Sequence, residues 1–163
     1  MDPSDHRAAP CVWLTGRRGS GKRTIGGLVA ATLRAEGRAC AVLDAEALSQ
    51  HLARGPREGG LVSLAWLADL LSGNGVTVMV TVDTPLRDDR EALRHTIAGF
   101  VEVFVDAPAE LCTERSGMGD PAYEAPISPD LRVPTDDRDA RASAAQLVSY
   151  LEALTEPTGP EPP

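Results

Sequence analysis

One stretch near the start constrains what this chain can fold into. It reads Cys11-Val12-Trp13-Leu14-Thr15-Gly16-Arg17-Arg18-Gly19-Ser20-Gly21-Lys22-Arg23-Thr24. An apolar run with β-branched and aromatic residues leads into glycines, then a lysine, then a helix-compatible segment. Glycines let successive backbone N–H groups turn inward around an anion, and the N-terminus of the following helix adds positive field. The stretch therefore predicts strand, phosphate-binding loop and helix in that order. Gly16, Gly21 and Lys22 fit the G-x-x-x-x-G-K pattern, but the Ser or Thr expected next is Arg23. The predicted nucleotide-phosphate set is Gly16, Arg17, Arg18, Gly19, Ser20, Gly21, Lys22, Arg23 and Thr24.

The basic residues sharpen this reading. Lys and Arg total 16, and Lys22 is the only lysine. A bias toward arginine fills every other basic position and does not extend to this one. A compact ammonium seats among loop amides where a planar guanidinium fork does not.

The chain of 163 residues suits one domain with a proper core. A formal net charge of −8 argues against a nucleic-acid-binding face. No apolar run approaches the ~20 residues that span a bilayer, and residues 1–10 lack an apolar signal core. Cys11, Cys40 and Cys112 show no metal-ligand spacing and read as buried, reduced thiols. A cytoplasmic location is expected, with a small molecule rather than a nucleic acid or membrane as partner.

Strand and helix patterns alternate along the chain. Strands are expected at 11–15, 39–43, 76–82, 101–105 and 131–133. Helices are expected at 22–36, 45–52, 61–71, 85–98, 108–115 and 139–154. Residues 1–10 read as a flexible leader, 11–154 as the domain, and 155–163 as a disordered proline-rich tail. This alternation implies right-handed crossovers. The predicted fold is a three-layer α/β domain with a central, mostly parallel five-stranded sheet. Trp13 and Trp66 are expected in its core.

In such sheets ligands sit outside the carboxyl ends of the strands. That rule gathers the loop, Asp44, Glu46 and Asp83 along one edge. Phosphoryl transfer uses magnesium between phosphate oxygens and a carboxylate that orients the nucleophile. Asp44 and Asp83 are the candidate magnesium ligands, although each acid is equally readable as a turn residue. Arg23 removes a hydroxyl that would otherwise serve the metal. Thr24 lies about 100° further around the helix. Arg87, Arg90 and Arg115 are candidate anion clamps. Arg87, Arg90 and Arg94 recur at helical spacing, so a solvated helix face is the alternative.

Over about Val12 to Leu154 the sequence resembles the adenylyl-sulfate (APS) kinases. Leu14 to Lys22 is similar to that family's Gly-Leu-Ser-Gly-Ser-Gly-Lys loop, and Leu43-Asp44-Ala45-Glu46 sits where the family has Leu-Asp-Gly-Asp. Asp83-Thr84-Pro85-Leu86-Arg87 with Arg90 looks like its Ile-Ser-Pro-aromatic-Arg segment. Val101-Glu102-Val103-Phe104-Val105-Asp106-Ala107-Pro108, then Glu110-Leu111-Cys112 and Arg115, resembles Glu-Val-Phe-Val-Asp-Thr-Pro…Glu-Val-Cys…Arg. Tyr123-Glu124-Ala125-Pro126 repeats the family's Tyr-Glu-Ala-Pro.

The resemblance implies a P-loop NTPase-type domain. It implies transfer of the ATP γ-phosphate to the 3′-hydroxyl of APS, with ATP and magnesium as cofactors. By position Lys22 would hold the transferred phosphate and Asp44 would act at the metal or the hydroxyl. Thr84 would replace a serine described in the family as phosphorylated. Arg57, Arg87, Arg90 and Arg115 would contact substrate. A homodimer, or a partner in a sulfate-activation complex, is compatible with this picture. The sequence departs from the family at Arg23, at Ala47 and Ser49, and in the short 116–122 segment where the family has a long lid. A kinase of another small hydroxyl substrate and a nucleotide-binding partner subunit are the alternative functions.

Overall fold

The structure is a computed structural model, and it describes residues 8–49 and 57–155. Its elements alternate: β1 (Cys11–Thr15), α1 (Lys22–Ala35), β2 (Cys40–Asp44), α2 (Ala45–Ser49), α3 (Arg57–Gly73), β3 (Thr77–Thr81), α4 (Arg87–Thr96), β4 (Phe100–Asp106), α5 (Ala109–Ser116), β5 (Leu131–Pro134) and α6 (Ala140–Thr155). The five strands form one sheet in the order β2-β3-β1-β4-β5. Every pairing is parallel, so the expected mostly parallel sheet is wholly parallel. Its strands are apolar on both faces, as a sheet covered by helices on each side requires.

Alternation along β1 shows how the layers are built. Val12 and Leu14 face a core shared with Ile25, Val29 and Leu33 of α1 and Leu147 and Leu151 of α6. Cys11 and Trp13 face the opposite core with Leu64, Ala65 and Ala68 of α3 and Leu93 of α4. All five residues of β1 are buried, so the central strand is a fixed support for the loop that leaves its carboxyl end.

Several expectations need correction. The helix expected at 61–71 runs from Arg57 to Gly73. Trp66 is 66% exposed rather than in the core, beside exposed Val62 and Leu70 on the same outer face of α3. The residues before β1 are not all leader. Ala9 N–H donates to Ser72 O at 2.9 Å, Ser72 Oγ bonds back to Ala9 O, and Pro10 O accepts from Val78 N–H at 3.0 Å. Residues 1–7 and the tail at 156–163 lie outside the described residues.

All three cysteines are free; Cys11 and Cys112 are buried as expected, and Cys40 is half-buried. Burial, with the nearby Asp69 charge, pushes the Cys11 thiol up to about 12. Among the described residues, no helix is long and apolar enough to cross a membrane.

Candidate functional site

The carboxyl end of β1 turns directly into the glycine loop and then into α1. Gly16 and Gly19 are required here for steric reasons. A Cβ on Gly16 would collide with the Val105 carbonyl of β4. One on Gly19, where φ is +85°, would sit 2.5 Å from the Cys112 carbonyl of α5. The backbone thus lies against two neighbouring elements with no room for side chains. Gly19→Ala is expected to lower the melting temperature and to weaken binding of an ATP analogue at least tenfold. The strained φ alone costs on the order of 1–3 kcal/mol, before α5 is displaced. Thermal melts and titration calorimetry check this, and unchanged affinity would contradict the close approach.

α1 begins at Lys22 behind Gly21, which offers no side-chain cap and leaves the first N–H groups of the helix directed at the loop mouth. Ser20 Oγ is buried in the loop with no hydrogen-bond partner among the described residues. Lys22 is 8% exposed. Its Nζ donates to Gly16 O at 2.7 Å and Arg17 O at 3.0 Å, and stands 3.4 Å from Asp83 Oδ1. Burial lowers the Lys22 pKa below the ordinary lysine value, partly offset by Asp83. The ammonium is therefore held inside the loop, on its own carbonyls, beside one carboxylate.

The loop opens into a cavity of about 840 Å³, lined by residues 18–25, strand-end residues of β2 and β3, and residues reaching from α5 to α6. Five cationic side chains line it, Arg18, Lys22, Arg23, Arg115 and Arg138, against three carboxylates, Asp44, Glu46 and Asp83. In a chain of net charge −8, this concave surface carries the opposite sign and suits a polyanion.

The expected strand-end acids both reach this edge, each already engaged. Asp44 accepts four hydrogen bonds: from Arg23 Nε (2.7 Å) and Nη2 (3.2 Å), Ala47 N–H (2.9 Å) and Thr81 Oγ1 (3.0 Å). Burial raises the Asp44 pKa, but these donors outweigh it and hold the carboxyl below its usual range. Arg23 also donates to Glu46 Oε2 at 2.6 Å. Asp83 accepts from Arg18 Nη2 at 3.0 Å and keeps about half of its side chain open, 49% exposed.

These contacts bear on magnesium. A carboxylate offers about four lone-pair positions, and those of Asp44 are filled by protein donors. At the position following Lys22 stands a guanidinium, which has no lone pair to give. Among the described residues no group of three His, Cys, Asp or Glu side chains is arranged to hold a metal. A magnesium ion coordinated directly by Asp44 and the residue at 23 does not fit this arrangement.

The remaining expected residues divide. Thr24 and Arg115 line the cavity, and Arg115 Nη2 also reaches Thr135 O at 3.5 Å. Arg87 lies away from it, bonded through Nε to Ala125 O at 2.9 Å and through its N–H to Glu124 at 3.0 Å. Thr84 is 4% exposed, and its Oγ1 accepts from Trp13 Nε1 at 3.1 Å, so its hydroxyl is turned into the core rather than offered for chemistry. Arg90 needs the largest correction. It is neither an anion clamp nor a solvated residue, being 2% exposed and paired with Glu102 at 2.7 Å. Arg57 opens α3, and its side chain lies outside the described residues.

Sequence reasoning missed four site residues, one of them Arg138 on the cavity wall. Thr135 Oγ1 donates to Ser20 O at 3.0 Å and ties β5 to the loop. Asp120 accepts from the Arg18 N–H at 3.2 Å, and its carbonyl accepts from Arg17 at 2.7 Å. Tyr123 hydrogen-bonds Thr15 Oγ1 at 3.1 Å, with the Arg17 guanidinium 5.5 Å from its ring centre. The Tyr-Glu-Ala-Pro word was the available signal for Tyr123; nothing in the pattern marked Thr135 or Asp120.

Comparison with known proteins adds an independent line. A profile of the family described as Adenylylsulphate kinase matches residues 8–121. An adenylyl-sulfate kinase of Rippkaea orientalis is 35% identical, covering 88% of this chain and 91% of its own. One of Picosynechococcus is 32% identical, over 92% and 97%. The structure of the Mycobacterium tuberculosis APS kinase CysC in complex with AMPPNP and APS superposes with a TM-score of 0.78. Identity there is 31%, covering 90% of this chain and 99% of that one.

Proposed function

Since the chain belongs to the adenylylsulphate kinase family, we propose that it transfers the γ-phosphoryl group of ATP to the 3′-hydroxyl of adenylyl sulfate. The observation that carries this reading is the buried Lys22 ammonium at the uncapped N-terminus of α1, opening into an arginine-lined cavity. ATP and adenylyl sulfate are both polyanions, and about 840 Å³ lies within the size range of small-molecule sites.

In the transfer, the substrate oxygen forms a bond to the γ-phosphorus while the bond to the β,γ-bridging oxygen breaks. ADP leaves, and the hydroxyl proton passes to a carboxylate or to solvent. Little covalent work falls to the protein, so positioning and charge stabilisation dominate. Lys22 and the first N–H groups of α1 hold the outer phosphates, and Arg115 and Arg138 neutralise charge across the mouth. Asp83, half open and 3.4 Å from the Lys22 ammonium, is the carboxylate placed to orient the acceptor hydroxyl. Asp44 reaches the nucleotide side through Arg23, which it positions.

The test is ADP formation with and without adenylyl sulfate. The acceptor is expected to raise the rate at least tenfold above background. An unchanged rate, with ATP still raising the melting temperature, would reject this acceptor. It would favour a nucleotide-binding subunit or a kinase of another hydroxyl, the reading that the locked Asp44 supports.

A further inference from the structure

We propose that Arg23 is a built-in cation for the nucleotide triphosphate, so that nucleotide binding to this chain needs no divalent metal. The inference rests on the nucleotide site proposed above and concerns its charge chemistry.

Arg23 stands in the first turn of α1, next to Lys22, where the loop pattern otherwise places a hydroxyl that ligates magnesium. The acid best placed to support a metal there, Asp44, spends two of its four accepted hydrogen bonds on Arg23 itself. A metal at this point would have to displace the guanidinium and would then face its positive charge.

Asp44 grips Arg23 through Nε and Nη2, and Glu46 takes Nη2 as well. Nη1 has no hydrogen-bond partner among the described residues, and the side chain is 66% exposed on the cavity wall. One arm of the fork is fixed and the other is presented. A guanidinium presented in this way is suited to phosphate oxygens, which it binds as a planar donor. The Glu46 contact is between two exposed side chains, 66% and 75%, and such pairs are weakly held. Arg23 can exchange it for a phosphate oxygen while Asp44 keeps its grip.

Arg18, Lys22, Arg23, Arg115 and Arg138 outnumber Asp44, Glu46 and Asp83 on the same wall, so the chain itself supplies net positive charge to the triphosphate.

The experiment is titration calorimetry of the full chain with the non-hydrolysable analogue AMPPNP, in excess magnesium and in EDTA. A dissociation constant that changes less than threefold between the two conditions is expected for the wild type. Arg23→Thr is expected to restore metal dependence, binding at least tenfold more tightly with magnesium than without. Arg23→Lys, which keeps charge but not the fork, guards against a misfolded threonine variant and is expected to stay metal-independent with weaker binding. A wild type that weakens tenfold or more in EDTA overturns the proposal. So does a folded Arg23→Thr variant that remains indifferent to magnesium. Binding in neither condition overturns the nucleotide site itself, a failure distinct from metal-dependent binding.

Discussion

Replacing Lys22 with alanine is expected to reduce phosphoryl transfer by about 100- to 1,000-fold, the loss typical of removing one preorganised charge from a transition state, roughly 3–4 kcal/mol. The side chain is held by two loop carbonyls at 2.7 and 3.0 Å, so the ammonium is already in place when the nucleotide arrives. Stability should suffer far less than rate, because removing the lysine also removes a charge that burial disfavours. Lys22→Arg separates charge from shape. The planar fork does not seat between the Gly16 and Arg17 carbonyls, so activity should stay within about tenfold of the alanine variant. Steady-state ADP formation, paired with thermal melts, checks both variants. A loss smaller than tenfold for Lys22→Ala would show that the ammonium is not aimed at the transferred group.

The second large effect concerns stability, far from the cavity mouth. Arg90 is almost wholly buried on α4. It pairs with Glu102 of β4 and donates to the carbonyls of Thr84 (2.7 Å), Pro85 (3.0 Å), Leu86 (3.2 Å) and Glu124 (2.6 Å). One guanidinium therefore fixes the turn after β3 and the start of the Tyr-Glu-Ala-Pro segment. Arg90→Met should destabilise the domain by about 3–5 kcal/mol, because Glu102 is left buried with only Arg94, at 3.3 Å, as an ionic partner. At about 2–4 °C per kcal/mol for a domain of this size, the melting temperature should fall by roughly 6–20 °C. Adding Glu102→Gln should recover part of that loss by removing the stranded charge. A fall of less than about 1 kcal/mol for Arg90→Met would contradict the buried pair.

These two residues mark the limits of what the sequence revealed. The loop was legible because its chemistry is local: glycines, lysine and helix start lie within one short run. The alternation of apolar strands and helices carried the fold for the same reason. Arg90 was misread because its role is not local. The spacing of Arg87, Arg90 and Arg94 describes one helix, whereas the partner Glu102 sits on a strand that only tertiary packing brings near. Trp66 was a different error. It lies two residues from Leu64 and from Ala68 on α3, which at ~100° per residue puts it on the opposite side from the packed stripe. Its size argued for burial and its phase argued against; phase prevailed. Arg23 was recognised as the wrong letter for a metal ligand. Its grip on Asp44 depends on β2 ending beside α1, which no spacing rule shows.

The sheet order has a consequence for how the chain reaches its folded state. β1 pairs with β3 and β4 and not with β2, the next strand in sequence, which stands at an edge beyond β3. Parallel strands cannot be closed by a tight hairpin, so the apolar run Cys11–Leu14 has no lasting place until Thr77–Thr81 is available on one side and Phe100–Asp106 on the other. Pairings of such long sequence separation are slow to form and leave apolar surface exposed while they do. The segment that becomes the most sheltered part of the native domain is thus the most exposed to misassociation during synthesis. Chaperone demand and expression temperature should therefore track substitutions in β3 and β4 more closely than changes in the phosphate loop itself.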